Sequence, residues 1–182
     1  IDPNRRVLGV IRPTTEIAGK FSTNKEIGIL ATYGTVSSES YLIELNKFFP
    51  ELKVYQEACP MWVPIIENDE IGTAGAEFFV QRHLHNLLSK SSSIDTLILG
   101  CTHYPLLLEE IKKHVPASVK IITQGEIVAA GLVDYLQRHP EMDAQCSKSG
   151  TIKFFTTDST ENFNRQATKF FGSAVQSEHL HL

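Results

Sequence analysis

Ile94-Asp95-Thr96-Leu97-Ile98-Leu99-Gly100-Cys101-Thr102-His103-Tyr104-Pro105-Leu106-Leu107-Leu108 decides the fold class. Ile94–Leu99 is a short apolar, partly β-branched run of strand length. Gly100 lets the backbone bend sharply, and Pro105 pre-sets φ for the first turn of a helix, which the spacing places over Leu106–Val115. Strand, turn, helix is the repeating phrase of an α/β protein. It recurs outward in both directions. Val7–Ile11, Ile27–Ala31 and Leu52–Tyr55 read as earlier strands, Val119–Thr123 and Thr151–Phe155 as later ones. Tyr41, Leu42, Leu45, Phe48 and Phe49 recur at helical spacing, with Ser37 or Ser38 as the cap and Pro50 as the stop. A short helix follows Cys59-Pro60 through Ile66. Longer helices are expected over Thr73–Leu88, Glu126–Gln137 and Thr160–Phe171, the last ending at Gly172. Ser91–Ser93 reads as a linker, Pro140–Gly150 as a polar loop and Ser173–Leu182 as a frayed tail.

Alternating β and α segments with strands apolar on both faces imply a three-layer αβα arrangement around a mainly parallel sheet. Ligands of such sheets collect outside the carboxyl ends of the strands. Thr32–Thr35, Cys59-Pro60, Cys101–His103, Gln124-Gly125 and Thr156–Asp158 are therefore expected on one rim.

Composition excludes several classes of function. With 42% hydrophobic and 21% charged residues the chain is globular in character, and its net charge of −4 favours neither nucleic acid nor an anionic membrane. Its apolar runs are strand-sized, too short for a bilayer span. Three cysteines (Cys59, Cys101 and Cys146) are odd in number and widely spaced, which argues against a disulfide framework or a structural zinc site and for a reducing cytoplasm. No secretory signal is evident, and Ile1–Arg6 does not resemble a natural start, so the chain reads as a piece of a longer protein.

At the Gly100–Pro105 turn a thiol would lie near the N-terminus of a helix. Unpaired N–H groups there favour a thiolate and can also hold a carboxylate. Thr102 adds a hydroxyl and His103 a titratable group. A cysteine after a strand can equally be a small buried apolar side chain. Residue chemistry leaves both readings open and names no reaction.

Gly-Cys-Thr-His-Tyr-Pro-Leu-Leu resembles the second-cysteine motif of the glutamate racemases, within the aspartate/glutamate racemase superfamily. Val7-Leu-Gly-Val-Ile-Arg-Pro13 resembles the family's entry into its second lobe. The segment 27–41, Ile-Gly-Ile-Leu-Ala-Thr-Tyr-Gly-Thr-Val-Ser-Ser-Glu-Ser-Tyr, resembles its Gly-Thr strand-loop-helix. Ala-Cys-Pro-Met-Trp-Val-Pro-Ile-Ile-Glu (58–67) resembles its Ala-Cys-Pro block, and Phe154–Asp158 with Phe163 and Phe170-Phe171-Gly172 its last strand and helix. The resemblance runs from about Val7 to Gly172.

It implies a cofactor-independent racemase that interconverts L- and D-glutamate for peptidoglycan, in the cytoplasm and as a homodimer. Inverting a stereocentre by two bases requires an acid or base on each face of the α-carbon. By residue matching, Cys101 is the second catalytic cysteine, His103 assists it, and Glu67 orients His103. Thr102, His103, Thr35 and Thr32 face the substrate. Cys59 is structural, and Cys146 carries no role. The family's Asp-Ser-Gly and Cys-Asn-Thr motifs, with its first cysteine, and its Pro-Tyr-Gly loop do not occur in this sequence. Isolated, the chain is thus expected not to racemise. Within Ile122-Thr123-Gln124-Gly125 many relatives place an acidic residue, which this sequence lacks. The expected division places residues 1–118 in the second lobe, 119–172 in a segment returning to the first lobe, and 173–182 in a tail. Rival readings are an aspartate racemase or related isomerase, and a non-catalytic carboxylate-binding module. The two-residue Cys–His spacing disfavours a Cys–His hydrolase, and scattered ligand types disfavour a metal site.

Overall fold

The computed structural model describes residues 7–181. Four strands, β1 (Glu26–Ala31), β2 (Lys53–Ala58), β3 (Thr96–Leu99) and β4 (Lys120–Ile122), form one sheet in the order β2-β1-β3-β4. Every pairing in it is parallel, with Ile27 opposite both Val54 and Thr96, and Ile98 opposite Ile122. The α/β reading is therefore correct.

Strand side chains alternate between two cores. Ile27, Ile29, Ala31 and Ile98 point to one face, where α1 (Ile11–Ala18) and α3 (Ser40–Phe48) cover them with Ala18, Tyr41 and Leu45. Leu30, Leu97 and Leu99 point to the other. There α4 (Trp62–Glu67), α5 (Ala74–Leu88) and α6 (Leu108–His114) contribute Trp62, Ile66, Val80, Leu84, Leu87 and Ile111. Helices on both faces of a parallel sheet give the three expected layers. Thr73 caps α5 by accepting the Ala76 N–H at 3.2 Å.

One polar cluster interrupts the second core. Glu57, on β2, accepts from Asn86 Nδ2 at 3.0 Å and Lys90 Nζ at 3.0 Å, and its Oε1 lies 3.1 Å from His83 Nδ1. Burial raises the Glu57 pKa, but the hydrogen bonds from Asn86, His83 and Lys90 outweigh it and leave the carboxyl below its ordinary 4.5. A carboxyl depressed on folding contributes stability above its unfolded pKa and loses it as the pH falls through the folded value. Acid titration of the melting temperature should therefore show a loss beginning near pH 4.5. Glu57→Gln should flatten that limb. An unchanged slope would remove Glu57 from the account.

Several elements differ from expectation. Val7–Val10 is not a strand; the chain enters α1 at Ile11, with Pro13 in its first turn. The β-branched residues there suit either state, and packing decides: α1 buries Ala18 in the first core with Ile11 against it. Thr32, rather than Ser37 or Ser38, is a cap: it opens a short helix α2 (Tyr33–Ser37), and Glu39 in left-handed φ separates α2 from α3. The helix expected from Leu106 is divided into a 3₁₀ turn (Tyr104–Leu107) and the seven-residue α6.

The chain forms two compact units, the first running to Tyr135 and the second from Leu136. Their boundary lies within α7 (Gly125–Arg138). The second unit is a β-α-β motif preceded by α8 (Pro140–Asp143), inside the segment read as a polar loop. In it, β5 (Phe154–Thr156) pairs in parallel with β6 (Ser177–His179) through α9 (Thr160–Phe171). Gly172 ends α9 at φ +76°, as its C-cap position requires. The residues read as a frayed tail thus supply a strand: Leu180 N–H also donates to the Thr156 carbonyl at 2.8 Å. Ile1–Arg6 and Leu182 lie outside the described residues. No helix among the described residues is long and apolar enough to cross a membrane.

Candidate functional site

Parallel pairing brings the carboxyl ends of β1 to β4 to one edge. Thr32–Thr35 leave β1, Cys59-Pro60 leave β2, Cys101–His103 leave β3 and Gln124 follows β4. The rim is thus populated by four of the five expected segments. Thr156–Asp158 follow β5, which belongs to the other sheet.

Gly100 continues the ladder by donating its N–H to the Leu30 carbonyl at 2.8 Å, and Cys59 N–H does the same to Ala31 at 2.8 Å. The ends of β1, β2 and β3 are therefore fixed by backbone bonds up to the turn. Tyr104 is fully buried, and its hydroxyl donates to the Cys59 carbonyl at 3.1 Å. Its ring meets Trp62 edge-on, centroids 4.8 Å apart. The residue three after the thiol is in this way tied to the end of β2.

Cys101 is half-buried; the Tyr104 N–H donates to its carbonyl at 3.2 Å, and the backbone amides of His103 and Tyr104 on the same turn favour a charged sulfur. Burial nevertheless pushes the thiol above its ordinary 9.0, and the Glu67 carboxylate adds to that, against the two amides. The expectation of a favoured thiolate is corrected here. The donors belong to a 3₁₀ turn instead of a long helix, so little macrodipole stands behind them, and desolvation is the larger effect. At neutral pH Cys101 keeps its proton.

His103 Nε2 lies 3.2 Å from Glu67 Oε1, the pair anticipated from the sequence. Both are partly exposed, at 31% and 42% of the side chain, so the contact orients the ring more than it stabilises the fold. Thr32 and Thr35 are half-buried and hydrogen-bonded to each other, Oγ1 to Oγ1 at 3.0 Å, with the Thr35 N–H 3.4 Å from Thr32 Oγ1. Thr102 is exposed beside the thiol. Cys59 is 1% exposed, and burial drives its thiol far up, so it stays protonated within the core. Cys146 is exposed in the second unit, its thiol 3.5 Å from the Met142 carbonyl.

Two residues at this rim were not singled out from sequence as parts of the site: Tyr41 and Tyr104. Both occupy apolar positions of their segments, so periodicity counts them as core and the phenol ends go unread. Gln124, noted only for its type, is 6% exposed and donates to the Tyr41 hydroxyl. Among the described residues no group of three or more His, Cys, Asp or Glu side chains is placed to hold a metal ion.

A rim thiol, a carboxylate-oriented imidazole and paired hydroxyls can exchange a proton with a small substrate. Comparison with known proteins finds glutamate racemases among its relatives. A glutamate racemase of Persephonella marina is 38% identical over 176 residues, covering 97% of this chain and 64% of that protein. The crystal structure of the glutamate racemase isoform RacE1 from Bacillus anthracis superposes with a TM-score of 0.88 at 34% identity, over 100% of this chain and 66% of that one. A glutamate racemase from Francisella tularensis, solved in complex with D-glutamate, gives a TM-score of 0.79 at 26% identity, over 95% of this chain and 62% of that one. No protein-family model matches the chain. It spans 58% to 64% of the length of the curated relatives it matches.

Proposed function

We propose, from the premise that this chain belongs to the glutamate racemase family, that it supplies one of the two proton-transferring faces of a cofactor-independent glutamate racemase. The observation that carries this reading is the placement of Cys101: a half-buried thiol at the rim, on a turn beside a His103–Glu67 pair. The two relatives with closest bearing on substrate are named for glutamate, and one was solved with D-glutamate.

The division of labour follows from the protonation state. A resting thiol is an acid, so in one direction Cys101 delivers its proton to the α-carbon as a base on the opposite face removes the other. In the reverse direction Cys101 must first be ionised. His103, oriented by Glu67, receives the sulfur's proton, and the His103 and Tyr104 amides stabilise the thiolate. The α-proton of an amino acid is very weakly acidic, so oriented donors must also stabilise the carbanionic charge. Thr102 and the Thr32–Thr35 hydroxyl pair are the polar groups from this chain available to substrate carboxylates. The opposing thiol belongs to the Cys-Asn-Thr motif, which this sequence does not contain. The full enzyme would act as a cytoplasmic homodimer, providing D-glutamate for peptidoglycan.

Joining a first-lobe segment that carries Asp-Ser-Gly and Cys-Asn-Thr ahead of Val7 should give a chimera that changes the optical rotation of L- or D-glutamate. The chain alone should give no turnover. Cys101→Ala in the chimera should lower the rate at least about a hundredfold, the scale of losing a general acid or base. Undiminished racemisation by that variant would overturn the assignment, and a faster reaction with aspartate would move it to the sister activity. Binding of D-glutamate by the folded chimera without any α-proton exchange would favour the carboxylate-binding module.

A further inference from the structure

Gln124 and Tyr41 lie outside the proton-transfer groups, yet they meet directly behind them. Tyr41 comes from α3 and is fully buried. Its ring lies against Gly100, the residue before the thiol: a Cβ at Gly100 would come within 2.9 Å of Tyr41 Cε2. Gln124 follows β4, and its Nε2 reaches two oxygens, the Tyr41 hydroxyl and, at 3.4 Å, the Val10 carbonyl. A backbone carbonyl can only accept, which fixes the amide with its nitrogen toward both partners. The Tyr41 hydroxyl is therefore an acceptor from Gln124. The register supports the same juxtaposition: Ile98 is opposite Ile122, so two residues further on Gly100 is level with Gln124.

On the opposite face of the sheet Tyr104 does the corresponding work through the Cys59 carbonyl. The Gly100–Cys101 turn is thus bracketed by two buried phenols, one tied to the end of β2 and one to the end of β4.

Resting on the reading of Cys101 as a proton-transfer thiol, we propose that Gln124 and Tyr41 are positioning residues for it. The neutral amide of Gln124 holds the Tyr41 ring against Gly100, which fixes the turn that carries the sulfur, and it adds no charge to those of Glu67 on α4 and Glu126 in the first turn of α7. A carboxylate at position 124 would reverse the hydrogen bond, the phenol then donating, and would set an anion near the turn. The Glu67 carboxylate from α4 raises the Cys101 pKa and the His103 and Tyr104 amides of its own turn lower it, while a charged sulfur would in turn hold Tyr41 on α3 and Cys59 at the end of β2 neutral. The Glu67 carboxylate already opposes ionisation of Cys101. A second would add to it.

The test is the pH dependence of Cys101 alkylation by iodoacetamide in this chain, read peptide by peptide by mass spectrometry so that Cys59 and Cys146 are separated. Below the thiol's titration the rate follows the thiolate fraction, in which one pH unit is tenfold. Gln124→Glu should move the profile to higher pH and slow alkylation about three- to tenfold near pH 8, with the same limiting rate once the thiol is fully ionised. Gln124→Met, neutral and similar in volume, should move it less and in the same direction. Should either variant fail to fold, Tyr41→Phe keeps the ring, removes only the hydroxyl and should shift the profile as Gln124→Met does. Profiles that superimpose on the parent's, whatever happens to melting temperature, would leave the pair a core contact and overturn the proposal. No glutamate enters this measurement, so it can succeed where the racemase reading fails, or fail where that reading succeeds.

Discussion

Trp62→Ala is expected to lower the unfolding free energy by about 4 kcal/mol, the scale of emptying a fully buried aromatic site. Trp62 has no exposed surface, is among the largest buried side chains, and sits where α4, α5 and the turn after Cys101 converge. Its indole N–H donates to the Phe79 carbonyl at 3.4 Å, its ring meets Tyr104 edge-on, and the His83 ring lies 6.3 Å away. α4 has only six residues and cannot close the space from its own side. A loss of this size is a large part of the 5–15 kcal/mol that holds a domain together. Urea unfolding followed by far-UV circular dichroism measures it. A cost under about 1 kcal/mol would mean that the site collapses and that Trp62 is not the keystone of this face. Because Tyr104 loses its ring partner, Cys101 should also become more accessible to alkylation.

The second large effect is expected at Gly100. Adding one methyl there places a carbon 2.9 Å from Tyr41 Cε2, 3.2 Å from Ala31 Cβ and 3.2 Å from the Leu30 carbonyl oxygen. Tyr41 is buried and hydrogen-bonded at its far end, and the other two belong to the central strand, so none can retreat cheaply. Gly100→Ala should cost about 2–3 kcal/mol as an overpacking change. The strand end would be forced away from β1, lengthening the Gly100–Leu30 bond and displacing the thiol with it. Amide exchange at Gly100 reads that directly. Unaltered protection together with parent-like stability would show that the turn has room.

Both predictions concern the segment from which the fold could be read most surely. Ile94–Leu108 announced strand, bend and helix because the apolar run, the glycine and the proline each constrain the backbone locally. The sheet followed from repetition of that phrase. Val7–Val10 did not follow, because β-branched residues next to a proline suit a strand or a helix entry alike, and the choice is made by packing. Ser177–His179 was illegible for a different reason: a three-residue edge strand exists only through its partner at Phe154–Thr156, far off in the chain.

The candidate site divides in the same way. Residue types and the resemblance of the motif pointed to Cys101, His103 and Glu67, and the structure brings His103 and Glu67 together. Thr32 and Thr35 also meet, but as an N-cap and its partner, a local role that spacing alone could have suggested. The protonation state of Cys101 could not be read, since it is a balance between two backbone amides and burial. Tyr41, Tyr104 and Gln124 were hidden among core positions, because hydrophobic period records which way a side chain points and not what its polar end finds there.

The strand order carries a kinetic consequence. β1 is flanked by β2 and β3, and its pairings close loops of different lengths: Ile27 to Val54 spans 27 residues and Ile27 to Thr96 spans 69, by subtraction of the numbers. The entropic difference between closing them is only about 0.8 kcal/mol, since the cost grows as the logarithm of length. Yet the shorter closure can proceed first, with α2 and α3 as its crossover, and the longer one then docks β3 on an edge already in register. The Cys101 turn is thereby assembled late, on a template that the first pairing lays down. On this order the Cys101 turn would be set after the β1–β2 pairing and would depend on it.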